Sequence, residues 1–349
     1  MVERPARPPV MKDVARLAGV SHITVSRVIN DVPLVRPDTR DRVRAAMAEL
    51  GYRPNLAARA LVTRRSHTLG VIAIKTTLYG PASTLLGIEQ AARAKGYFVS
   101  VVSIADVTVD ELQDAVERLA KQGVEGVVVM VPWRAAAEAL AAVPHDLPMV
   151  TVEGGTADTP AVLVDQAGGA AAATQHLIDA GHRSIAHIAG PVDWLEAEAR
   201  LAAWRSSCRA AGLPTPRPLH GDWTPRSGYR AGRKLLDRLD GVTAVFAAND
   251  QMALGVLRAF AEAGVRVPED VSVVGFDDIP EAEFLHPPLT TVRQDFPAVG
   301  RRCVDLLTRA LEQPGGAPEP ARVVVPARLV VRSSSGEPGR PRRRSVAKR

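Results

Sequence analysis

The sequence is poor in cysteine, and it has no long apolar run. Its two cysteines, Cys208 and Cys303, form no CxxC pair, so a reducing compartment is the simplest home. The longest apolar run, residues 126–133, is too short to span a bilayer, and residues 1–10 lack the apolar core of a secretory signal. We therefore expect a cytoplasmic protein without a transmembrane helix.

Motifs of several common enzyme classes are missing as well. The sequence contains no GxGxxG after a strand pattern, no GxSxG elbow, no GKS/T phosphate loop and no HExxH. His176, His182 and His187 have the wrong spacing to share one helix face. We therefore expect no enzyme, no metal site and no cofactor. The alternative is an enzyme that modifies nucleosides or processes sugars on an α/β scaffold, and turnover of a bound sugar would reveal it.

Charge is distributed unevenly along the 349 residues. Residues 1–68 hold 13 Lys/Arg against 6 Asp/Glu, residues 333–349 hold 6 against 1, and the rest of the chain holds 25 against 31. A length of this order allows two or three domains. The basic N-terminal region predicts a polyanion partner for that region, and a merely solvated basic terminus is the alternative.

Residues 10–30, VMKDVARLAGVSHITVSRVIN, contain two short helical patterns around a turn. Gly19 stands where the chain must turn, because glycine adopts a left-handed conformation at little cost. Ser21 stands where the second helix begins, and its hydroxyl can accept hydrogen bonds from backbone N–H groups there. The apolar residues that share a face are Val14, Leu17 and Ala18 in the first pattern and Val25, Val28 and Ile29 in the second.

A third helical pattern follows Pro37 and ends at Gly51. Its apolar face would hold Val43, Ala46, Met47 and Leu50. Three small helices of this kind can close one core. Together with the basic charge they indicate a helix–turn–helix unit that binds DNA, and a protein-docking module is the alternative.

From residue 69 onward, strand patterns alternate with helical ones, which predicts parallel sheets. The patterns fall into two series, and we therefore expect two doubly wound subdomains. The strand patterns are LGVIAI, YFVSVVSI, VEGVVVMV and PMVTVE in the first series and RSIAHIAG, AVFAAND and VSVVGFDD in the second.

Several of these strands are followed by polar residues, and ligands of open parallel sheets bind at the carboxyl ends of the strands. Arg200, Asn249 and Asp277 supply a guanidinium, an amide and a carboxylate, and Trp223 supplies a flat ring. Such a set suits a sugar, whose hydroxyls need donors and acceptors while its C–H face packs on an aromatic ring. Each residue also has a structural alternative: Arg200 could pair with an acid, Asp277 could cap a helix and Trp223 could be core.

Short stretches in order along the chain resemble the lactose-repressor (LacI/GalR) family. DVARLAGVS, TVSRVIN, AAMAELGYRPN and ARAL are similar to its headpiece and hinge, and GDW, ANDQMALG, VVGFDD and PPLTTVRQDF are similar to its core. The similarity extends through nearly all of residues 10–332. It implies an all-α helix–turn–helix headpiece and an α/β core of two doubly wound parallel-sheet subdomains, as in periplasmic binding proteins.

The resemblance also implies domain boundaries. The expected segments are a disordered tail at 1–9, a DNA-binding headpiece at 10–54, a hinge helix and linker at 55–68, an effector-binding and dimerisation core at 69–332 and a disordered basic tail at 333–349. Within the core, the N-subdomain would comprise about 69–163 and 294–323, and the C-subdomain about 164–293 and 324–332. No leucine heptad follows Val331, so a homodimer is expected rather than a tetramer.

By the same resemblance, the second headpiece helix would lie in the major groove of double-stranded DNA. Arg27 could fork onto guanine, with a phosphate clamp as the alternative, and Ile23 offers only apolar contact. Leu61 would wedge into the minor groove, with a packing leucine in a linker as the alternative. The expected base contacts are His22, Ile23 and Arg27, the expected phosphate contacts are Ser21, Thr24, Ser26 and Asn30, and the expected hinge contacts are Asn55 and Leu61.

Two positions of the headpiece depart from the family. Val10 and Arg36 stand where relatives often carry a Thr or Ser that caps the first and third helices. Loss of a cap typically costs about 0.5 to 2 kcal/mol, so we expect a headpiece of marginal stability.

The expected contacts to the effector lie in the core. The resemblance implies that they are Leu78, Glu153, Arg200, Trp223, Asn249, Asp277, Gln294 and Phe296. Glu153 stands where a relative has aspartate, Met130 stands where it has asparagine, and Gly80 replaces an alanine. These changes alter the shape and hydrogen bonding of the pocket, so they leave the identity of the sugar open.

Together these expectations describe a homodimeric repressor of sugar-utilisation genes that a galactoside-like or glucoside-like sugar releases from a pseudo-palindromic operator. Whether the sugar induces or corepresses stays open. A secreted sugar-binding protein of the periplasmic type is the alternative, but such a protein would have no use for residues 10–62.

Overall fold

This computed structural model describes residues 7, 9–29, 33–53, 65–104, 108–144, 146–155, 158–237, 241–313 and 321–338. The chain divides into two compact units, residues 1–66 and 67–349. In the described part, no helix has both the length and the apolar content needed to cross a membrane.

The first unit contains the three predicted helices of the headpiece. They are α1 (Met11–Ala18), α2 (His22–Ile29) and α3 (Pro37–Glu49). Val14, Val25 and Val43, one from each helix, are fully buried in one hydrophobic cluster. Gly19 follows α1 with a φ of 65°, the left-handed turn that the sequence predicts.

The prediction for Leu17 was wrong, because its side chain is 45% exposed. The inward face of α1 is formed instead by Val14, Ala15 and Ala18. At 3.6 residues per turn, Leu17 lies about 100° around the helix from the centre of that face. A helix of two turns buries only one narrow stripe, so Leu17 points to solvent.

The caps of the headpiece helices differ from one another. The hydroxyl of Ser21 accepts a hydrogen bond from the backbone N–H of Thr24 at 3.1 Å, as predicted. Val10 and Arg36 make no side-chain cap, also as predicted. However, the carboxylate of Asp13 accepts from the backbone N–H of Val10 at 3.0 Å, and this bond lowers the pKa of Asp13. The start of α1 therefore has a substitute for its missing cap.

The second unit contains twelve strands among the described residues. They are β1 (Thr68–Ile74), β2 (Phe98–Ile104), β3 (Gly126–Val131), β4 (Met149–Glu153), β5 (Ala161–Val164), β6 (Ile185–Ala189), β7 (Leu219–His220), β8 (Ala244–Ala247), β9 (Ser272–Val274), β10 (Thr291–Arg293), β11 (Arg322–Val325) and β12 (Arg328–Val330). The helices are α4 (Tyr79–Ala94), α5 (Val109–Lys121), α6 (Arg134–Ala142), α7 (Gln166–Asp179), α8 (Leu195–Ala210), α9 (Pro225–Leu236), α10 (Asp250–Glu262) and α11 (Phe296–Glu312), with a 3₁₀ turn at Pro280–Phe284.

The strands form two parallel sheets, which confirms the predicted fold class. The first lobe has the order β11-β5-β4-β3-β1-β2, and the second lobe has the order β7-β6-β8-β9, with β10 and β12 as an antiparallel ribbon beside it. Alternate residues of β1 face opposite sides of the first sheet: Val71 packs in the cluster with α4 and α11, and Ile72 packs in the cluster with α5 and α6. Burial on both faces explains why these strands read as continuous apolar runs.

The chain passes between the lobes slightly later than the predicted subdomain boundaries. Strands β5 and β11 pair in parallel register from Arg322 opposite Ala161 to Val325 opposite Val164. The expected boundaries after 163 and 323 therefore fall inside these two strands. Pairing along their whole length keeps both strands in the first sheet.

The predicted disordered tail begins too early in the sequence. Ser334 is fully buried in the second lobe, where its Oγ donates to the carbonyl of Val273 at 2.6 Å and accepts from the N–H of Thr290 at 2.8 Å. The backbone N–H of Val273 donates to the carbonyl of Ser334 at 2.7 Å. Residues 333–338 are thus packed by hydrogen bonds that a composition-based prediction could not foresee. The predicted tail from 339 onward lies outside the described residues.

We predict that Ser334→Ala lowers the free energy of unfolding by about 1 to 3 kcal/mol, because it leaves a buried carbonyl and a buried N–H without partners. Ser333→Ala is the matched control, since the Ser333 side chain is exposed. Urea unfolding of both variants measures the difference. Equal stability of the two variants would show that this segment is not packed in solution.

Candidate ligand-binding cavity and headpiece surface

A cavity lies where the carboxyl ends of the strands in the two lobes face each other. It encloses about 720 Å³ of empty space, part of it open to solvent. All eight predicted effector contacts line it: Leu78, Glu153, Arg200, Trp223, Asn249, Asp277, Gln294 and Phe296. The structure therefore brings the whole predicted set together around one space. That these residues bind a ligand stays a prediction.

Three of the lining residues have an unusual backbone conformation. Glu153, Trp223 and Asp277 have φ values of 69°, 71° and 118°, in the region that favours glycine. Each ends or follows a strand of the sheets, where the chain turns toward the cavity. Backbone strain of this kind costs about 1 to 3 kcal/mol per residue and clusters at functional sites. The strain is thus a second indication, besides the lining, that this edge is a site.

Arg200 lies on α8 with its guanidinium almost completely buried. Its Nε donates to Oε1 of Gln166 at 2.9 Å, and its Nη1 donates to the carbonyl of Ala248 at 2.5 Å. Its Nη2 lies 3.8 Å from Oδ1 of Asp277, and its Cζ lies 3.8 Å from the centre of the Phe276 ring. Burial lowers the pKa of Arg200, and the negative charge of Asp277 opposes that shift. The guanidinium is therefore a fixed cation in the wall of the cavity.

Asp277 does not cap the next helix, which was the structural alternative. Its Oδ1 accepts from Nε2 of Gln294 at 2.7 Å. Burial raises its pKa to about 6, although Arg200 and the bond from Gln294 oppose the rise. The backbone N–H of Ile279, at the start of the next turn, is instead bonded by Asp250 at 2.9 Å. Asp277 is thus available at the cavity wall.

Asn249 has a structural role as well as a place in the lining. Its Oδ1 accepts from the N–H of Met252 at 2.9 Å and so caps α10. Its Nδ2 donates to the carbonyl of Trp223 at 3.2 Å. The amide therefore fixes the loop that carries Trp223, even before any ligand is considered.

The ring of Trp223 packs directly on the backbone of Gly190. A Cβ at Gly190 would lie 2.3 Å from the ring, so no other residue fits there without a shift. The Nε1 of Trp223 is buried and has no hydrogen-bond partner. Because a buried indole N–H normally finds a partner, this atom is a candidate donor to a ligand.

Two glutamates bring further carboxylates to the cavity. Glu153 accepts from the backbone N–H of Val164 and from Nε2 of Gln166, both at 3.2 Å. Glu196 has one oxygen, Oε2, that is buried without any partner. Burial raises the pKa of both glutamates, and the charge of Glu153 raises that of Glu196 further.

Sequence reasoning missed Glu196, although a signal for it was present. Glu196 and Arg200 are four residues apart on α8, and residues at this spacing share a helix face. Once Arg200 was assigned to the site, Glu196 could have been assigned with it. The other lining residues that were missed are Ile74, Tyr79, Pro81, Thr84, Val131, Pro132, Val152, Val164, Gln166, Trp194, Gln251 and Val299.

Two positions that depart from the family also line the cavity, Met130 and Gly80. A Cβ at Gly80 would lie 3.9 Å from the ring of Phe296, which is an ordinary contact distance. The glycine therefore leaves room for a methyl group at this wall. Met130 adds an apolar, flexible surface in place of an amide.

At one wall of the cavity, a loop of the first lobe touches a loop of the second. The rings of Trp133 and Trp194 meet edge to face with centroids 4.9 Å apart. The N–H of Leu195 donates to the carbonyl of Pro132 at 2.9 Å. We call this pair of segments, 132–134 and 194–198, the interlobe contact. It holds the start of α8 against the first lobe.

On the headpiece, those expected DNA contacts that lie among the described residues share the surface of α2 and its N-terminus. Ser21, His22, Ile23 and Arg27 are exposed, and Thr24 and Ser26 are half-buried. The hydroxyls of Ser21 and Thr24 are 3.0 Å apart and bonded to each other. Asn30, Asn55 and Leu61 lie outside the described residues. No group of three or more potential metal ligands occurs among the described residues.

A helix–turn–helix headpiece with an exposed second helix and a two-lobed body with a cavity between its lobes together define a class of protein. This class is the ligand-responsive regulator that binds DNA.

Comparison with known proteins gives the family. The family model for "Bacterial regulatory proteins, lacI family" matches residues 10–55. The family model for "Periplasmic binding protein-like domain" matches residues 174–335. The HTH-type transcriptional regulator CelR of Thermobifida fusca is 40% identical over 342 residues, which cover 94% of this chain and 98% of that protein.

Two solved structures are similar over most of the chain. A lac repressor dimer bound to operator and the anti-inducer ONPF is 34% identical with a TM-score of 0.82, and the match covers 95% of this chain and all of that one. A CelR–cellobiose complex is 37% identical with a TM-score of 0.68, and the match covers 93% of this chain and 99% of that one. The chain therefore belongs to the lacI family of bacterial regulatory proteins, and it is a transcriptional regulator with an effector-binding domain, not an enzyme.

We predict that Glu196→Gln raises the melting temperature relative to the unchanged protein at pH 8.5, and that the gain shrinks toward pH 5. A carboxyl whose pKa is raised in the folded state contributes stability that is fully present below its unfolded pKa, about 4.3 for glutamate. That stability is lost as the pH rises through the raised value. Glutamine stays neutral throughout, so only the unchanged protein loses stability.

Asp193→Asn is the matched control for this prediction. Asp193 lies in the loop before Glu196, is exposed, and has a φ of 69° that asparagine tolerates. Thermal unfolding of the full chain from pH 5 to 8.5 measures all three proteins. A gain for Glu196→Gln that is constant or larger at low pH would contradict the raised pKa.

Proposed function

We propose that this regulator is a cytoplasmic, homodimeric repressor of sugar-utilisation genes that a glucoside-like or galactoside-like sugar releases from a pseudo-palindromic operator. The observation that carries the proposal is the composition of the cavity wall. It places a guanidinium, carboxylates and amides beside aromatic rings in a space between two lobes.

The polar groups of the wall suit a neutral ligand with many hydroxyls. Each sugar hydroxyl can donate and accept, and the wall offers the donor Arg200 beside the acceptors Asp277 and Glu153. The aromatic rings of Trp223, Tyr79 and Phe296 offer surfaces for the C–H faces of a sugar ring.

The similarity to a CelR–cellobiose complex supports a β-glucoside as the first candidate. Met130 favours neither candidate by hydrogen bonding, because a thioether is only a weak acceptor. A galactoside is the second candidate, and the similarity to lac repressor supports it.

Binding to operator DNA as a dimer is supported by the headpiece. One headpiece offers one short recognition helix, α2, with exposed residues His22, Ile23 and Arg27. A two-fold dimer doubles this contact and reads two half-sites of a pseudo-palindrome. The similar lac repressor structure is a dimer bound to operator, which supports the same arrangement here.

The position of the cavity supports a mechanism for release. A ligand between the lobes changes their relative angle if it binds one angle more tightly than the other. The interlobe contact lies at the start of α8, the helix that carries Arg200. Coupling between ligand and DNA of about 1 to 3 kcal/mol is typical for such systems.

We predict that cellobiose or lactose raises the melting temperature of the purified protein and weakens its binding to an inverted-repeat operator. Thermal shift and fluorescence anisotropy measure the two effects. A shift without sugar turnover is expected, because the site is a binding site. Turnover would support an enzyme, and no shift with any mono- or disaccharide would refute the proposed effector class.

We predict that Arg27→Ala weakens specific operator binding by about 1 to 3 kcal/mol, because a forked contact to guanine is lost. Arg27→Lys keeps the charge but cannot form the fork, so it serves as the control. Anisotropy on operator and on unrelated DNA separates specific from nonspecific binding. Full specificity of Arg27→Lys would indicate a phosphate clamp, and unchanged binding of Arg27→Ala would argue against α2 as the reading helix.

A further inference from the structure

Among the described residues, five buried side-chain nitrogen or oxygen atoms have no hydrogen-bond partner. Two of these atoms belong to residues of the cavity wall, Oε2 of Glu196 and Nε1 of Trp223. One is an acceptor and the other is a donor. Buried polar groups of folded proteins are nearly always paired. An unpaired acceptor and an unpaired donor in the wall of one cavity therefore indicate a ligand that supplies a partner to each.

We propose that Glu196 is a specificity-determining residue of the cavity, whose Oε2 accepts a hydrogen bond from a hydroxyl of a neutral sugar. The Nε1–H of Trp223 donates to an oxygen of the same ligand. This inference rests on the proposed function, since it names a residue that would select the effector.

The neighbours of Glu196 favour a hydroxyl over a cationic ligand. Arg200 is four residues away on the same helix and carries a fixed positive charge in the same cavity. An ammonium group would pair with Glu196 but would be repelled by Arg200. It would also leave the Nε1–H of Trp223 without an acceptor. A hydroxylated neutral ligand satisfies both unpaired atoms and meets no repulsion.

The other two acids of the cavity wall accept hydrogen bonds from other residues, whereas Glu196 accepts from its own backbone N–H and leaves Oε2 unpaired. Glu153 accepts from a backbone N–H and from Gln166, and Asp277 accepts from Gln294. Replacing those carboxylates would break bonds within the protein. Replacing Glu196 removes no hydrogen bond of Oε2 within the protein, so a bond to Oε2 is lost only when a ligand is bound.

The place of Glu196 in the fold also suits a selecting residue. It is the second residue of α8, directly after Trp194 and Leu195 of the interlobe contact. The N–H of Leu195 and the ring of Trp194 are both held by the first lobe. The carboxylate is therefore positioned from both lobes, and little ordering is needed when a ligand binds.

The first test measures the affinity for cellobiose and lactose by titration calorimetry. We expect Glu196→Ala to bind the better of the two sugars roughly tenfold to hundredfold more weakly, because the buried hydroxyl of the sugar loses its acceptor. Asp193→Asn removes a charge from the preceding loop outside the lining and is expected to keep its affinity. The melting temperature of each unliganded variant at pH 8.5 is measured beside it.

The second test identifies the hydroxyl with monodeoxy derivatives of the sugar that binds. In the unchanged protein, removal of the contacting hydroxyl weakens binding by a similar factor. In Glu196→Ala, removal of the same hydroxyl has little further effect, while removal of the other hydroxyls acts as before. Such a cycle isolates one pair of groups, and a residue that only supports the fold would not produce it.

The outcomes separate this inference from the function on which it rests. Unchanged affinity of Glu196→Ala, or equal coupling to every hydroxyl, overturns the role of Glu196 and leaves the sugar-responsive regulator intact. A loss of affinity together with a lower melting temperature at pH 8.5 also overturns it, because the role is then structural. If neither sugar binds the unchanged protein, the proposed effector class fails, and this inference fails with it.

Discussion

The buried guanidinium of Arg200 is the interaction on which the body of this protein depends. A charge removed from water is costly unless it is paired and hydrogen-bonded. Here the compensation comes from Gln166 at the start of α7, the carbonyl of Ala248 after β8 and the carboxylate of Asp277 after β9. Because Gln166 also donates to Glu153 at the end of β4, the same network reaches the first lobe. One cation thus gathers the strand ends of both lobes around the cavity.

Several residues of the cavity wall lower the stability of the folded protein, either because a carboxyl is buried or because the backbone is strained. Burial raises the pKa of Glu153, Glu196 and Asp277, and the positive charge of Arg200 opposes each rise only in part. Two of these residues, Glu153 and Asp277, also have positive φ values. Strain and uncompensated burial are typical of sites that are shaped for a ligand, because binding energy offsets what folding leaves unsatisfied.

The interlobe contact links the binding of a ligand in the cavity to the angle between the lobes. It is small: one edge-to-face pair of rings, one backbone hydrogen bond and the exposed ion pair of Arg134 with Glu198. An exposed ion pair contributes about 0.2 to 1 kcal/mol, so the contact resists a change of lobe angle only weakly. The same segment leads into Glu196 and Arg200, so a ligand held by α8 and a change of lobe angle act on one helix.

The sequence by itself determined the elements and eight of the residues around the cavity. Period-two and period-3.6 patterns, the turn at Gly19 and the cap at Ser21 are local, because they depend on a residue and its near neighbours. The resemblance to a known family implied these eight residues, because relatives that share a fold pack equivalent residues around the same cavity. Tertiary structure alone decided that Leu17 faces solvent, that Ser334 is buried in the second lobe and that Oε2 of Glu196 stays unpaired in the cavity. Each of these outcomes depends on which distant segment covers a side chain, and that is settled only when the lobes pack.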